Sequence, residues 1–241
     1  MEITRAGFLG TIAVFVVVGV CVRLGFWQLD RREQRLDRNA VMAARMAEPA
    51  IPLEVVPTDT TGLTFRHVVA HGDYDYDRPI VLAGRSRGGI PGVHVLAPLR
   101  ISGGALLVNL GWLPSPDAAT VDLDSIRAER TARVDGILMP FPDADLDPPA
   151  ESFRTTWFRL DGDAIRAQYP YAVAPLYLVR TRAATPDRPR TASANTQPIP
   201  LGPPELTAGP HLSYAIQWFS FALIFLVGWG ALAVRRTRTS T

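Results

Sequence analysis

Few side chains in this sequence stand where their type and spacing could do chemistry. His211 lies immediately before an uncharged run, with Tyr214 three and Trp218 seven residues further on. On a helix these spacings put all three on one face. An imidazole flanked by aromatic rings at a water–membrane boundary can ligate haem iron axially while the rings pack the porphyrin; an interfacial histidine in an aromatic belt has the same pattern. His67, His71 and His94 could in principle meet around zinc or copper. No thiol or regularly spaced carboxylate completes that set, and ordinary strand-surface histidines are the plainer reading. Asp73, Asp75 and Asp77 alternate with Tyr74 and Tyr76. A calcium loop needs a glycine turn and a terminal acidic ligand, whereas Arg78 and Pro79 follow here, so a solvated turn between strands is expected. Gly88, Gly89 and Gly92 lack the Lys and Ser/Thr of a phosphate loop and read as a turn. There is no G-x-S-x-G element. The residues alone supply no enzyme.

Two apolar terminal segments must position whatever chemistry exists. Residues Ala6 to Val22 carry no charge, Arg23 interrupts, and Leu24, Gly25, Phe26 and Trp27 continue the run. The block spans about 30 Å of hydrocarbon if Arg23 snorkels. It lacks a small-x-small cleavage site, and Val20 is too bulky to precede a lipidated Cys21, so an uncleaved anchor is expected. Leu212 to Val234 form a second uncharged run of 23 residues closed by Arg235, Arg236 and Arg238. Tyr214, Trp218 and Trp229 stand near its ends, where amphipathic rings favour the interface. Both termini then share one side. The C-terminal arginines vote for a cytoplasmic C-terminus, but Arg31, Arg32, Arg35 and Arg38 oppose them, and charge leaves the orientation open.

The basic excess belongs to these flanks. All 25 basic residues of the 241 are Arg, yet residues 30–211 hold 20 Arg against 22 Asp and Glu. A nucleic-acid reader needs a basic stripe on its folded part, and none is present, so no nucleic-acid partner is expected. Cys21 is the lone cysteine. It lies in the first apolar block, which excludes disulfides, thiolate-bound zinc and thiol catalysis from the central domain.

The middle of the chain reads as one α+β domain. Asp30 to Met46 carries a partial helical stripe that continues out of the first span, and Pro49, Pro52 and Pro57 end it. Seven β-rich runs follow, at residues 64–71, 79–83, 93–99, 105–110, 133–138, 155–160 and 174–180. They predict a mainly antiparallel, barrel-like domain. Asp161 can cap a short helix toward Tyr169, and residues 123–130 can form another. Residues 183–210 hold seven prolines and read as an extended tether. The expected organisation is an N-terminus over 1–6, spans at 7–29 and 211–234, a helical stalk and linker over 30–57, the β-rich domain over 58–182, the tether, and a basic tail over 235–241.

Five collinear strings carry a resemblance that covers nearly the whole chain: Leu24-Gly-Phe-Trp-Gln-Leu-Asp-Arg31, Gly92-Val-His-Val-Leu-Ala-Pro98, Leu107-Val-Asn-Leu-Gly-Trp-Leu-Pro114, Trp157-Phe-Arg-Leu-Asp161 and His211-Leu-Ser-Tyr-Ala-Ile-Gln-Trp-Phe219. Together they resemble the Surfeit locus protein 1 family of cytochrome c oxidase assembly factors. The resemblance implies a multi-pass protein of the cell membrane with its central domain outside the cytoplasm and both termini inside. Its implied partners are membrane lipid, the catalytic subunit of the oxidase and the haem A synthesis machinery. Haem a is the implied cofactor, bound transiently. In bacterial members a histidine at the start of the second span is associated with haem a, and His211 is the matching position. Trp27, Gln28 and Arg31, with Tyr214 and Trp218, match other signature positions, which the resemblance implies shape the same cofactor-binding interface. The family commonly has Arg between Asn and Gly where this chain has Leu110. Leu cannot replace a bidentate donor if that Arg contacts a propionate or a partner acid; the position can equally be one of strand packing. A non-enzymatic chaperone for haem a or for the apo-subunit is the expected function, and a stably bound accessory subunit of a respiratory complex is the alternative.

Overall fold

The computed structural model describes residues 5–127, 130–142, 152–181 and 197–238. They divide into a helical unit, Met1–Ala43 with Leu206–Thr241, and a β unit, Ala44–Glu205. The first apolar block and the charged stretch after it form one uninterrupted helix, α1 (Arg5–Ala47). No proline or glycine pair stands between them to break it. At the other end α3 (His211–Arg238) begins directly after Pro210, which has no N–H and so cannot sit further inside a helix. Both helices are long and apolar enough to cross a membrane.

Among the described residues the β unit has eight strands: β1 (Ile51–Leu53), β2 (His67–Tyr74), β3 (Ile80–Arg87), β4 (Ile90–Ile101), β5 (Gly104–Pro114), β6 (Thr131–Pro140), β7 (Thr156–Trp157) and β8 (Val173–Arg180). Five of them, in the order β2-β6-β8-β5-β4, close on themselves through a short β2–β4 pairing of Asp73 with Arg100 and Tyr74 with Leu99. The result is a small barrel, antiparallel except at β5–β8. β1 adds in parallel to the edge of β2, and β3 with β7 extends from β4.

Alternation along the strands builds two cores. Val68, Val95, Leu106, Val108, Leu138 and Leu178 fill the barrel interior. Ile80, Leu96, Leu107, Trp157 and Ile165 form a second cluster, where β3, β7 and the short helix α2 (Gly162–Ala167) cover the wall. β5 is therefore buried on both faces, which is why its sequence reads as a continuous apolar run instead of an alternating one. Each fully buried Leu or Val contributes roughly 1.5–3 kcal/mol.

The local expectations fare unevenly. Gly88 and Gly89 form the β3–β4 turn with φ of 56° and 80°, the left-handed pair that a two-residue hairpin demands. Asp161 caps α2, accepting from the Ala164 N–H at 3.0 Å. Residues 123–130 give only a single 3-10 turn, Asp124–Ile126, within the described part. The run 155–160 is a two-residue strand, because Leu160 owes its burial to the outer core and not to a ladder. The Asp73–Asp77 run does turn between β2 and β3 with Asp73 and Asp77 exposed, but Asp75 is mostly buried: it accepts from the Asp77 N–H at 3.1 Å and from the Tyr171 hydroxyl at 2.6 Å. The tether over 183–210 lies outside the described residues as far as 196. Its end is not a free spacer, since Ile199 and Trp112 exchange backbone hydrogen bonds of 2.8 Å in each direction, and Arg180 and Arg87 donate to the Pro198 and Pro200 carbonyls.

Candidate functional site

Small residues let α1 and α3 approach closely. Cys21, Ala215 and Ala222 are buried between the helices. A Cβ on Gly25 would stand 2.5 Å from the Phe219 ring, and one on Gly10 would stand 2.8 Å from the Trp229 ring. Phe219 also meets Phe26 edge-to-face with centroids 5.4 Å apart. Each glycine is thus a socket for an aromatic ring of the other helix.

The polar end of this pair holds the contact of greatest chemical interest. His211 Nδ1 lies 2.9 Å from Gln28 Oε1. An amide oxygen only accepts, so a neutral His211 facing it donates from Nδ1 and keeps the Nε2 lone pair. A metal-ligating histidine uses this arrangement, its second nitrogen donating to a fixed oxygen. Just before α3, the Thr207 carbonyl accepts from Arg35 Nε at 2.8 Å and from Asn39 Nδ2 at 3.0 Å.

The other residues singled out from the sequence lie on the same two helices. Trp27 and Tyr214 are each about half exposed, 46%. Trp218 packs its ring edge-to-face on Phe221 of its own helix at 6.0 Å, and Arg31 donates to Gln34 at 3.0 Å. The structure brings His211 and Gln28 together and leaves Trp27 and Tyr214 exposed on their helices. Arg35, Asn39 and Thr207 were not found from the sequence. The signal that could have found the first two is their spacing of seven and eleven residues from Gln28, which places all three on one stripe of α1.

The β unit offers less. His67 Nε2 is 2.5 Å from Asp135 Oδ1, which also accepts from the Thr181 hydroxyl at 3.4 Å. His71 is exposed, and His94 is half-buried with its imidazole pushed down to about 4, first by desolvation and then by the Arg85 charge. Among the described residues no three His, Cys, Asp or Glu side chains converge as a metal site. A groove of about 370 Å³ runs past Phe141, Asp161 and Arg166, but the charged walls are already engaged: Asp161 caps α2, and Arg166 donates to Asp163 and to the Gly162 carbonyl. Leu110 is 3% exposed inside the barrel, so the position is one of core packing.

A close helix pair with a histidine oriented at its polar end, in one chain with a five-stranded barrel, defines a two-helix, barrel-bearing class of protein. The chain belongs to the SURF1 family, whose model matches residues 15–223. It is 25% identical over 232 residues to a SURF1-like protein of Monosiga brevicollis, covering 90% of this chain and 85% of the relative. It is 24% identical over 222 residues to a SURF1-like protein of Rickettsia felis, at 90% and 93% coverage. To the Surfeit locus protein 1 of Rattus norvegicus it is 26% identical over 243 residues, at 89% and 72% coverage.

Proposed function

We propose that this chain is a membrane-anchored assembly factor for haem-A-containing cytochrome c oxidase. In this reading α1 and α3 both span the cell membrane, the barrel lies outside the cytoplasm, and the protein acts as a chaperone and not as an enzyme. It stabilises haem a, or the apo-subunit that receives it, during cofactor insertion. The observation that carries the reading is the His211–Gln28 hydrogen bond, which in the neutral imidazole turns the lone pair to Nε2.

The residues present fit the group. His211 would supply a nitrogen ligand to the iron, and Tyr214, Trp218 and Trp27 would offer apolar and aromatic area for a macrocycle. Bound haem a would supply an iron able to accept that imidazole nitrogen. The work of the protein is to hold the imidazole in one tautomer, to offer an apolar surface beside it and to keep the polar helix ends paired. Neither Gln28 nor Arg31 needs to touch the cofactor: the first orients His211, and the second stays on its own helix.

Deletion of the protein followed by optical measurement of oxidase in purified membranes tests the assembly role. Loss of the haem a signal is expected. Normal haem content in a dissociated complex would overturn the assembly reading and favour a stably bound accessory subunit.

A further inference from the structure

We propose that Gln28, Arg35 and Asn39 form a positioning device for His211, in which the two donors fix the turn before α3 and Gln28 then selects the tautomer. The inference rests on the His211 reading only for its purpose; its geometry stands apart from any ligand.

The three residues lie within about 40° of one another around α1. All three work on the short segment that introduces α3. The Thr207 carbonyl is held by two donors, one of them a guanidinium, at 2.8 and 3.0 Å. A carbonyl oxygen has two lone pairs, and both are used here, one in a charge-assisted bond. Gly209 follows with φ of 70°, and a Cβ there would stand 3.3 Å from His211 Cδ2 and 3.5 Å from Arg35 Cδ. The turn is therefore closed between the imidazole and the Arg35 side chain, at a place where only glycine is unstrained. Pro210 has a restricted φ and its carbonyl takes the Ser213 hydroxyl at 2.7 Å and the Tyr214 N–H at 3.2 Å. Between Thr207 and Tyr214 the Thr207 and Pro210 carbonyls, the Gly209 backbone and the His211 ring are each held, the ring by Gln28.

Such a device has a reason in physical terms. A neutral imidazole free in solution exchanges between two tautomers. Only the one with the proton on Nδ1 presents Nε2 as a ligand while donating to Gln28. Either donor alone holds the carbonyl, whereas loss of both releases the turn. These are positioning residues.

The test uses the full-length protein in detergent, labelled with ¹⁵N-histidine. The chain has four histidines, and His211→Ala identifies the His211 signals by their disappearance. The wild type is expected to show His211 protonated at Nδ1. The Arg35→Ala and Asn39→Ala single variants are expected to keep that state, and the double variant to show averaged tautomers. Gln28→Leu, which leaves the turn intact, is expected to lose the Nδ1–H state as well. A double variant or a Gln28→Leu protein with an unchanged His211 spectrum would overturn the proposal. After co-expression with haem A synthesis, the double variant is expected to retain at least fivefold less haem a than the wild type. If His211→Ala retains full haem while the tautomer results hold, the haem reading fails and the positioning device stands.

Discussion

Acidification should destabilise the barrel through His94, by an amount that the structure bounds. Its imidazole is half-buried on β4, paired in the ladders with Leu82 and Trp112, and is held at about 4 by desolvation and Arg85. In the unfolded chain a histidine titrates near 6.5. Between these values the unfolded state binds the proton and the folded state does not, so stability is full above about 6.5 and is lost as pH falls toward 4. Each tenfold loss of proton affinity corresponds to about 1.4 kcal/mol, which sets an upper bound of roughly 3 kcal/mol for a dry site. The ring is partly solvated, so an effect of about 1–2 kcal/mol is expected. The assay is thermal unfolding of the full chain in detergent at pH 7 and pH 4.5, followed by near-ultraviolet circular dichroism, for wild type and His94→Gln. Carboxylates titrate alike in both proteins, so the difference between the two pH dependences isolates His94. The variant should lose less stability on acidification than the wild type. Equal losses would refute the argument.

Other consequences follow from packing. Leu110→Arg would bury a second guanidinium beside Arg180, since Asn109 pairs with Val179 on the adjoining strand and burial already lowers the proton affinity of Arg180; a loss of at least about 3 kcal/mol is expected in denaturant unfolding, and unchanged stability would show that the position opens to water. Gly25→Ile should drive α1 from Phe219 and lower haem a retention, with Phe219→Ala restoring it in the double variant; no rescue would mean that Phe219 does not fill that socket. Above about pH 10 the fold should weaken, because burial pushes the ionisation of Tyr74, Tyr169 and Tyr177 to higher pH, and burial together with the Asp75 hydrogen bond does the same for Tyr171. The unfolded state then loses protons first, so a melting temperature that does not change from pH 9 to 11 would contradict this.

What could be read before folding was local. The two apolar runs, the Gly88–Gly89 turn and the Asp161 cap each follow from a few neighbouring residues, and the structure has all of them. Most β-rich runs coincide with strands, since period-two burial leaves a direct mark on sequence. Barrel closure depends on a two-residue pairing between β2 and β4, which no periodicity encodes. β1 and β7 are too short to show a period. Asp75 looked solvated because its neighbours are polar, while Tyr171, nearly a hundred residues away, supplies the partner. At the helix pair, His211 was visible from its place at the edge of an apolar run. Arg35 and Asn39 were hidden in a charged stretch, where every second or third residue could serve as a solvated face; only the fold shows which two meet the Thr207 carbonyl.

The central claim is that His211, held by Gln28, is a ligand for haem a. It is tested most directly by the optical spectrum of the full-length protein purified after co-expression with the haem A synthesis enzymes, wild type beside His211→Ala. The account predicts haem a bands in the wild type and their loss in the variant, with the variant still found in the membrane. Equal haem in both proteins, or none in the wild type, would contradict it.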